Sequence, residues 1–225
     1  MTNVQLNNDT TNNKYFLIAI HLFLILISIS QLSAQSYAVE WINTNGLSVN
    51  GNTVTKTVYT SWNTGKGRSE NELSAGQDGW AEMTMSAVMV DLFFGFTSTP
   101  NNLNWTSINY AIHCGSGNVY IYENGASKAP LIETYGVNDV LRAERVGNTV
   151  YYKKNGSTFY TSQVASTSLL TVQGNIYQNG ASISNATVSF PAPGQAGDTS
   201  PPTAPTNLTA SNVTQTFVQL NWTAS

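Results

Sequence analysis

The stretch from Asp139 to Ser162, read as DVLRAERV-GN-TVYYKK-NG-STFYTS, decides the fold that the rest of the sequence shares. Two runs rich in Val and Tyr flank Gly147-Asn148, and Asn155-Gly156 leads into a third run. Gly and Asn tolerate the positive φ angles of primed turns, whose twist matches that of paired strands. The stretch therefore predicts a three-stranded antiparallel meander. Its expected strands are 140–146, 149–154 and 157–162.

Short runs with strand character continue on both sides of the meander, while 68–76 (RSENELSAG) reads as a loop. The runs are AVEWI (38–42), LSVN (47–50), TVTKTVY (53–59), WAEMTMSAVMV (80–90), DLFFGFTS (91–98), SINYAIHC (107–114), NVYIYENG (118–125), LLTVQGNIYQNG (169–180) and SNATVSF (184–190). Helical periodicity is missing from the sequence after residue 34. Many short strands separated by turn signals predict an all-β sandwich or barrel.

The meander and its surroundings resemble the centre of concanavalin A-like lectin/glucanase sandwiches, and SPRY and laminin-G-like modules have comparable patterns. The residues that carry the resemblance are Gly136, Asp139, Val140, Arg142, Gly147, Val150, Tyr151, Tyr152, Asn155, Gly156 and Tyr160. Segments 39–41, 77–84 and 110–125 are similar to repeats in large exported proteins of Bacteroidetes-type bacteria. The resemblance implies a two-sheet antiparallel sandwich of jelly-roll type over 35–190. Its residues are turn and core positions, so it bears on fold and not on activity.

The N-terminal segment 1–34 has the features of a signal peptide. Lys14 precedes an apolar run at 15–29, and small residues follow, with the expected cleavage after Ala34. The run is shorter than the roughly 20 residues of a membrane-spanning helix. We therefore expect a secreted or cell-surface protein without a membrane span in its mature form. An uncleaved anchor is the alternative.

The C-terminal segment predicts a linker followed by the start of another domain. Residues 191–205 are rich in Pro, Gly and small polar residues, as in interdomain linkers. Residues 206–225 resemble the opening of a fibronectin type III domain, incomplete at this length. Leu208 fits its first strand, and Val218, Leu220 and Trp222 fit its second. We therefore expect this chain to be either the N-terminal part of a longer protein or a truncated gene product.

Composition excludes several functions. Only 9% of the residues are charged and the net charge is −3, which argues against a nucleic-acid partner. Cys114 is the single cysteine, so an intramolecular disulfide is impossible. His113 is the only histidine after the signal segment, and we expect it to be a half-exposed strand residue. Because the calcium-loop pattern D-x-[DN]-x-[DN]-G is absent, we expect no metal and no cofactor.

The acidic residues do not predict catalysis. Glucanases of the fold that this sequence resembles use carboxylates in an E-x-D-x-(x)-E arrangement, with a catalytic pair roughly 5 Å apart in retaining enzymes. The 12 acidic residues here are scattered, and that spacing does not occur. Glu70 and Glu72 share a face only if 68–76 is a strand. We expect a non-catalytic module.

Binding is the remaining function, and two tryptophans in Asn-rich segments are the candidate binding residues. Sugars stack on exposed aromatic rings, while amide groups take their hydroxyls. The expected glycan-binding set, in loops at one end of the sandwich, is Trp62, Asn63, Asn101, Asn102, Asn104 and Trp105. The alternative for each of these two rings is anchoring of a loop or of the core, whereas Trp41 and Trp80 lie in strands and are expected in the core. The expected partner is a polysaccharide or glycan. The alternative is a structural spacer that presents a domain located beyond residue 225.

Overall fold

The computed structural model describes residues 35–128 and 133–194, and the backbone of two further strands at Thr206–Ser211 and Gln219–Thr223. The predicted signal peptide and most of the predicted linker lie outside the described residues. The two C-terminal strands pair antiparallel with each other. They contain Leu208, Leu220 and Trp222, while Val218 lies outside the described part. Their assignment to a fibronectin type III domain stays a prediction.

Strands make up nearly all the regular structure of the described residues. In chain order the strands are β1 (Tyr37–Ala38), β2 (Trp41–Asn45), β3 (Leu47–Asn50), β4 (Thr53–Lys56), β5 (Lys66–Leu73), β6 (Gly79–Thr84), β7 (Asp91–Thr97), β8 (Tyr110–Gly115), β9 (Asn118–Glu123), β10 (Ala126–Ser127), β11 (Glu133–Thr134), β12 (Val140–Val146), β13 (Thr149–Lys154), β14 (Ser157–Thr161), β15 (Leu170–Ile176), β16 (Ser182–Val188), β17 (Thr206–Ser211) and β18 (Gln219–Thr223). A single turn of 3-10 helix spans Trp105–Ser107. In this described part no helix is long and apolar enough to cross a bilayer.

The strands from β1 to β16 form two antiparallel sheets. Sheet I has the order β14-β13-β12-β6-β16-β4-β3, and β1 also pairs with β16. Sheet II has the order β10-β9-β8-β7-β15-β5-β2, and β11 also pairs with β9. One core joins their inner faces, for example Met83 and Leu141 from sheet I with Phe94 and Ile112 from sheet II, all fully buried. The expected all-β, two-sheet antiparallel fold is confirmed for the described residues.

The meander that decided the fold is confirmed. β12 pairs with β13 and β13 pairs with β14, each antiparallel. In the first turn Gly147 has φ 57°, and in the second Asn155 and Gly156 have φ 49° and 83°. These are the left-handed angles that the primed hairpin turns require. Sequence and backbone therefore agree on all three strands, except that the third strand ends at Thr161 and not at residue 162.

One expectation about an individual segment is wrong. The stretch 68–76 is expected to be a loop, but Lys66–Leu73 is a strand whose residues alternate between buried and more exposed. Trp41 and Trp80 are both buried, as expected. Trp41 belongs to the core between the sheets, whereas Trp80 is buried on the outer face of sheet I, where the Arg142 guanidinium lies 4.1 Å from its ring centroid. A long cationic side chain thus covers the ring in place of the opposite sheet.

Candidate functional site

The outer face of sheet II changes from aromatic to polar across its width. Residues that pair directly across neighbouring strands share a face, so the register identifies its rows. The first row, from β9 to β5, is Tyr120, His113, Phe93, Asn175 and Lys66. The second row, from β9 to β5, is Tyr122, Ala111, Gly95, Gln173 and Arg68. Rings therefore lie over β7 to β9, and amides and cations lie over β15 and β5.

A loop between β7 and β8 crosses the polar part of this face. Its backbone is held from below by two fully buried amides: Gln173 Nε2 donates to the Asn104 carbonyl at 3.0 Å, and Asn175 Nδ2 donates to the Leu103 carbonyl at 3.0 Å. Buried amides left unpaired are costly, so these bonds fix the path of the loop. The loop thereby places the Trp105 ring on Phe93, with ring centroids 4.8 Å apart and planes at 17°.

Trp62 reaches the same face from the segment between β4 and β5. Its ring centroid lies 5.3 Å from that of Phe93 and 5.0 Å from that of Tyr177. The Trp62 and Trp105 centroids are 6.5 Å apart. The structure thus brings the two predicted tryptophans together. It lays them against the face of sheet II, whereas we expected them in loops at one end of the sandwich.

These rings form one connected surface, which we call the aromatic face. Its members are Trp62, Phe93, Trp105, His113, Tyr120, Tyr122 and Tyr177. Phe93 is its floor, only 3% exposed and packed with Ile108 and Ala111 in a small second hydrophobic cluster. The two tryptophans and Tyr122 pack on that floor and stay half-buried. Part of each of these rings is therefore open to solvent.

The four predicted asparagines divide into two groups. Asn102 Oδ1 accepts from the Asn104 backbone N–H at 3.1 Å, and Asn104 Oδ1 accepts from that of Thr106 at 3.3 Å. These two side chains shape the turn that leads into the 3-10 helix. Asn63 and Asn101 are exposed, Asn63 directly after Trp62 in the chain and Asn101 four residues before Trp105. All four lie close in sequence to one of the tryptophans, but the side-chain oxygens of Asn102 and Asn104 already accept backbone hydrogen bonds.

His113 forms a close pair with Asp91 at the edge of the aromatic face. Its Nε2 lies 2.6 Å from Asp91 Oδ1, and because a carboxylate oxygen can only accept, Nε2 is the donor of this hydrogen bond. The imidazole stacks on Phe93 with centroids 4.2 Å apart. His113 Nδ1 is buried and has no hydrogen-bond partner. The same is true of Arg68 Nε and Thr171 Oγ1, which lie on the same side of sheet II. Three of the six such side-chain atoms in the described residues thus lie on this side.

Sequence reasoning missed five members of the aromatic face, namely Phe93, His113, Tyr120, Tyr122 and Tyr177. The available signal was the alternation in β9, which puts Tyr120 and Tyr122 opposite Val119 and Ile121. Alternation shows that the tyrosines share a face. It does not show which residues of β7 and β8 lie beside them, because that depends on long-range register.

The carboxylates on this side of sheet II include one distant pair and one neighbouring pair. Glu72 lies opposite Thr171, whereas Asp91 lies beside Tyr177, so about six residues of strand separate Glu72 from Asp91. At about 3.4 Å per residue this is about 20 Å, well beyond the 5–9.5 Å of glycosidase carboxylate pairs. Glu70 and Glu72 do share a face, because their segment is a strand, and two residues along a strand span about 7 Å. Within 35–128 and 133–194, no three His, Cys, Asp or Glu side chains gather as a metal site.

Neither protein-family models nor curated proteins match this chain. Solved structures with a similar chain path include the PSpry domain of TRIM65 (9% identity, TM-score 0.48, covering 69% of this chain and 92% of that domain). The carbohydrate recognition domain of Emp47p is 13% identical, with a TM-score of 0.46 and coverage of 69% and 95%. The Bacillus licheniformis beta-glucanase is 12% identical, with a TM-score of 0.42 and coverage of 69% and 90%. Similarity at these levels does not identify a ligand or an activity.

Proposed function

We propose that this protein is a non-catalytic module that binds a polysaccharide or glycan across the aromatic face of sheet II. The observation that carries the proposal is the pair of half-buried rings, Trp62 and Trp105, with centroids 6.5 Å apart on one surface. Sugar rings have apolar faces that stack on aromatic side chains. Two neighbouring tryptophans offer such contacts to one or two consecutive sugar units.

The polar groups around the rings suit a neutral ligand. Asn63 and Asn101 are exposed, and they lie close in sequence to Trp62 and Trp105 respectively. Amide side chains can hydrogen-bond to hydroxyl groups, both as donors and as acceptors. The chain carries few charges and a net charge of −3, which favours a neutral sugar over an anionic polymer. The ligand class that we propose is therefore a neutral polysaccharide.

We place this module in an exported protein, secreted or held at the cell surface. The support is the predicted signal peptide at 1–34 and the Pro- and Gly-rich segment after residue 190. In this setting the module attaches a larger protein to a glycan, and any catalytic domain lies elsewhere.

A structural spacer is the second candidate, and one observation favours it. Trp105 stacks on buried Phe93, and the loop that carries it is fixed by Gln173 and Asn175. Such contacts are also what a loop needs to cover a sheet face without binding anything. The two candidates differ in whether the exposed part of the tryptophans has a partner.

A glycan array with the purified protein, followed by titration calorimetry, tests the proposal. The variants are W62A and W105A, with Y59A as the matched control, because Tyr59 is an aromatic residue of the Trp62 segment that is 68% exposed. Stacking residues at the centre of a binding site typically contribute 2 kcal/mol or more, which is about a 30-fold change in Kd. We expect that loss for both tryptophan variants and none for Y59A, with circular dichroism unchanged in all three.

Two results would contradict the proposal. If the native protein binds no glycan on the array, the spacer is the better assignment. If W62A and W105A bind as tightly as the native protein, the ligand lies elsewhere on the module.

A further inference from the structure

Lys56, the last residue of β4, is a buried cation in the interior of the sandwich. Its side chain is 1% exposed and shares the inward face of β4 with Val54. Lysine is almost never fully buried unless it is paired, because the ammonium loses its hydration. Burial accordingly lowers the pKa of Lys56 from its ordinary value. A group this costly needs an identifiable set of partners.

Those partners are main-chain carbonyls. Nζ donates to the carbonyl oxygens of Ile176 and Tyr177, each at 2.9 Å, and of Thr64 at 3.1 Å, and it also contacts that of Ser61. Among the described ion pairs none involves Lys56. Four carbonyl dipoles converging on one positive charge therefore replace a carboxylate. The arrangement resembles the oxygen cage of a bound cation, with the ammonium in the cation's place.

The four carbonyls belong to the two segments that hold the Trp62–Tyr177 pair. Ser61 and Thr64 bracket Trp62 in the chain, and Tyr177 itself supplies one of the other carbonyls. The Ser61 backbone N–H also donates to the Tyr177 carbonyl at 3.1 Å. The ammonium thus holds the backbone on both sides of a ring contact with a centroid distance of 5.0 Å.

Gly65 shows how closely the chain is built around the lysine stem. A Cβ added there would lie 2.5 Å from the Ile176 carbonyl oxygen and 2.6 Å from Lys56 Cδ. Gly65 also has φ +78°, an angle that side chains other than glycine rarely adopt. Backbone and lysine stem therefore pack without space for one additional methyl group.

We propose that Lys56 is a positioning residue whose buried ammonium fixes the Trp62 segment, and with it the Trp62–Tyr177 pair of the aromatic face. The carbonyl cage is a site for an ammonium group, filled here by the chain's own lysine. The proposal deepens the proposed function, because an ordered Trp62 ring is what a stacked sugar needs. The effect on backbone order does not depend on any glycan.

Hydrogen–deuterium exchange of the full chain tests this proposal. K56M keeps the apolar stem and removes the charge, and K153M is the control, since Lys153 pairs with Glu144 on the outer face of sheet I. We expect the amides of Ser61 and Gly65 to exchange about tenfold faster or more in K56M, because their segment loses its charged hydrogen bonds. Exchange in β12 and β13 is expected to stay as slow as in the native protein and in K153M.

Chemical rescue provides a second measurement. K56A removes the three terminal methylenes together with the ammonium, so propylammonium supplies the missing group. We expect propylammonium to restore slow exchange at Ser61 and Gly65 in K56A, and tetramethylammonium, which has no N–H, to have no effect at equal ionic strength.

Unchanged exchange at Ser61 and Gly65 in K56M would overturn the proposal. So would loss of protection throughout both variants without rescue, which would make Lys56 a residue of global stability. If the exchange results are as expected, we expect K56M also to weaken glycan binding. A native protein that binds no glycan would refute the proposed function alone and leave the exchange result standing.

Discussion

Trp105 and Phe93 stack with ring centroids 4.8 Å apart and planes at 17°, although one ring comes from a 3-10 helix in a loop and the other from the middle of β7. Through this contact the loop between β7 and β8 packs on the outer face of sheet II. The same contact forms part of the candidate binding surface. The same ring therefore has a structural side, which faces Phe93, and an open side.

The losses of unfolding free energy in F93A and W105A, compared with each other, show how much Trp105 contributes to stability. Phe93 is 3% exposed, so we expect F93A to destabilise the protein by about 3–5 kcal/mol, as for other buried Phe→Ala changes. Trp105 is half-buried, so we expect W105A to cost less, about 1–2 kcal/mol. Urea unfolding followed by circular dichroism gives both values.

The order of the two costs is the informative result. If W105A destabilises the protein as much as F93A, Trp105 is mainly an anchor of its loop. That outcome would favour the spacer over the binding module.

Replacement of Arg145 is expected to be far more harmful than replacement of Arg142. Arg145 is fully buried, and its guanidinium donates to the backbone carbonyls of Ser74, Gln77 and Ser168. R145M leaves these acceptors unpaired, at about 1–3 kcal/mol for each buried group, so we expect a loss of about 3 kcal/mol or more. R142M is the comparison, because Arg142 is partly exposed between Glu82 and the Trp80 ring, and each of these two contacts contributes about 0–1 kcal/mol.

Thermal and urea unfolding of the two variants decide this prediction. Similar midpoints for R145M and R142M would show that the segments around Ser74 and Ser168 do not depend on the buried guanidinium.

Cys114 is expected to be inert in the folded protein. Its side chain is fully buried, its Sγ lies 3.9 Å from Met85 Sδ, and burial raises the pKa of the thiol. Only the thiolate is a good nucleophile, so both access and ionisation oppose reaction. We expect no reaction with a chromogenic thiol reagent at neutral pH until the protein is unfolded in guanidinium, when one equivalent reacts. Rapid labelling without denaturant would show that β8 opens locally.

The meander was predictable because its information is local. Gly147, Asn155 and Gly156 adopt the positive φ angles that their sequence suggested, and the strands between them follow from chain connectivity. The burial of Cys114 and of Trp41 in the core was also predictable, from the alternation of apolar and polar residues along their strands. Each of these features depends on near neighbours in the chain.

The strand β5 was not predictable from hydrophobic alternation, because only one of its four inward residues, Leu73, is apolar and larger than glycine. Ser69 donates to the Asn71 carbonyl and accepts from the Val172 backbone N–H, and Asn71 accepts from the Glu40 backbone N–H. Buried hydrogen bonds here take the place of apolar contacts. A pattern search for apolar residues cannot detect such a strand.

The candidate site was only half predictable, for a different reason. Trp62 and Trp105 could be identified as aromatic residues in Asn-rich segments. Their common contact with Phe93 depends on the register of sheet II and on two loops that fold across it. Gln173 and Asn175 direct one of these loops, and Lys56 holds the other. Long-range hydrogen bonds of this kind leave no periodic signal in the sequence.

Asp139 is expected to make the stability of the protein sensitive to acid. Its Oδ1 accepts from Asn155 Nδ2 and its Oδ2 accepts from the Gly136 backbone N–H, both at 2.8 Å. The Asn155 hydrogen bond, and then the Gly136 one, lower the pKa of Asp139 below its ordinary value of 3.8. The carboxylate thus holds the turn at 136–139 to the second turn of the meander.

The direction of the pH effect follows from this lowered pKa. In the unfolded chain the carboxyl takes up a proton near its ordinary pKa, whereas the folded protein resists protonation until lower pH. The stabilisation is therefore complete above about pH 5 and is lost as the pH falls through the folded-state pKa, below 3.8. D139N removes the titrating group, so we expect the native protein to be the more stable at pH 7 and the difference to shrink between pH 4 and pH 2.

Urea midpoints of the two proteins at several pH values between 2 and 7 provide the measurement, and E133Q is measured in parallel. The pKa of Glu133 is also lowered, first by the Thr134 backbone N–H and then by Lys154. We therefore expect the stability difference between the native protein and E133Q to shrink in acid as well, because the same linkage applies. A constant difference between the native protein and D139N over the whole pH range would mean that Asp139 acts by shape alone, and not through its charge.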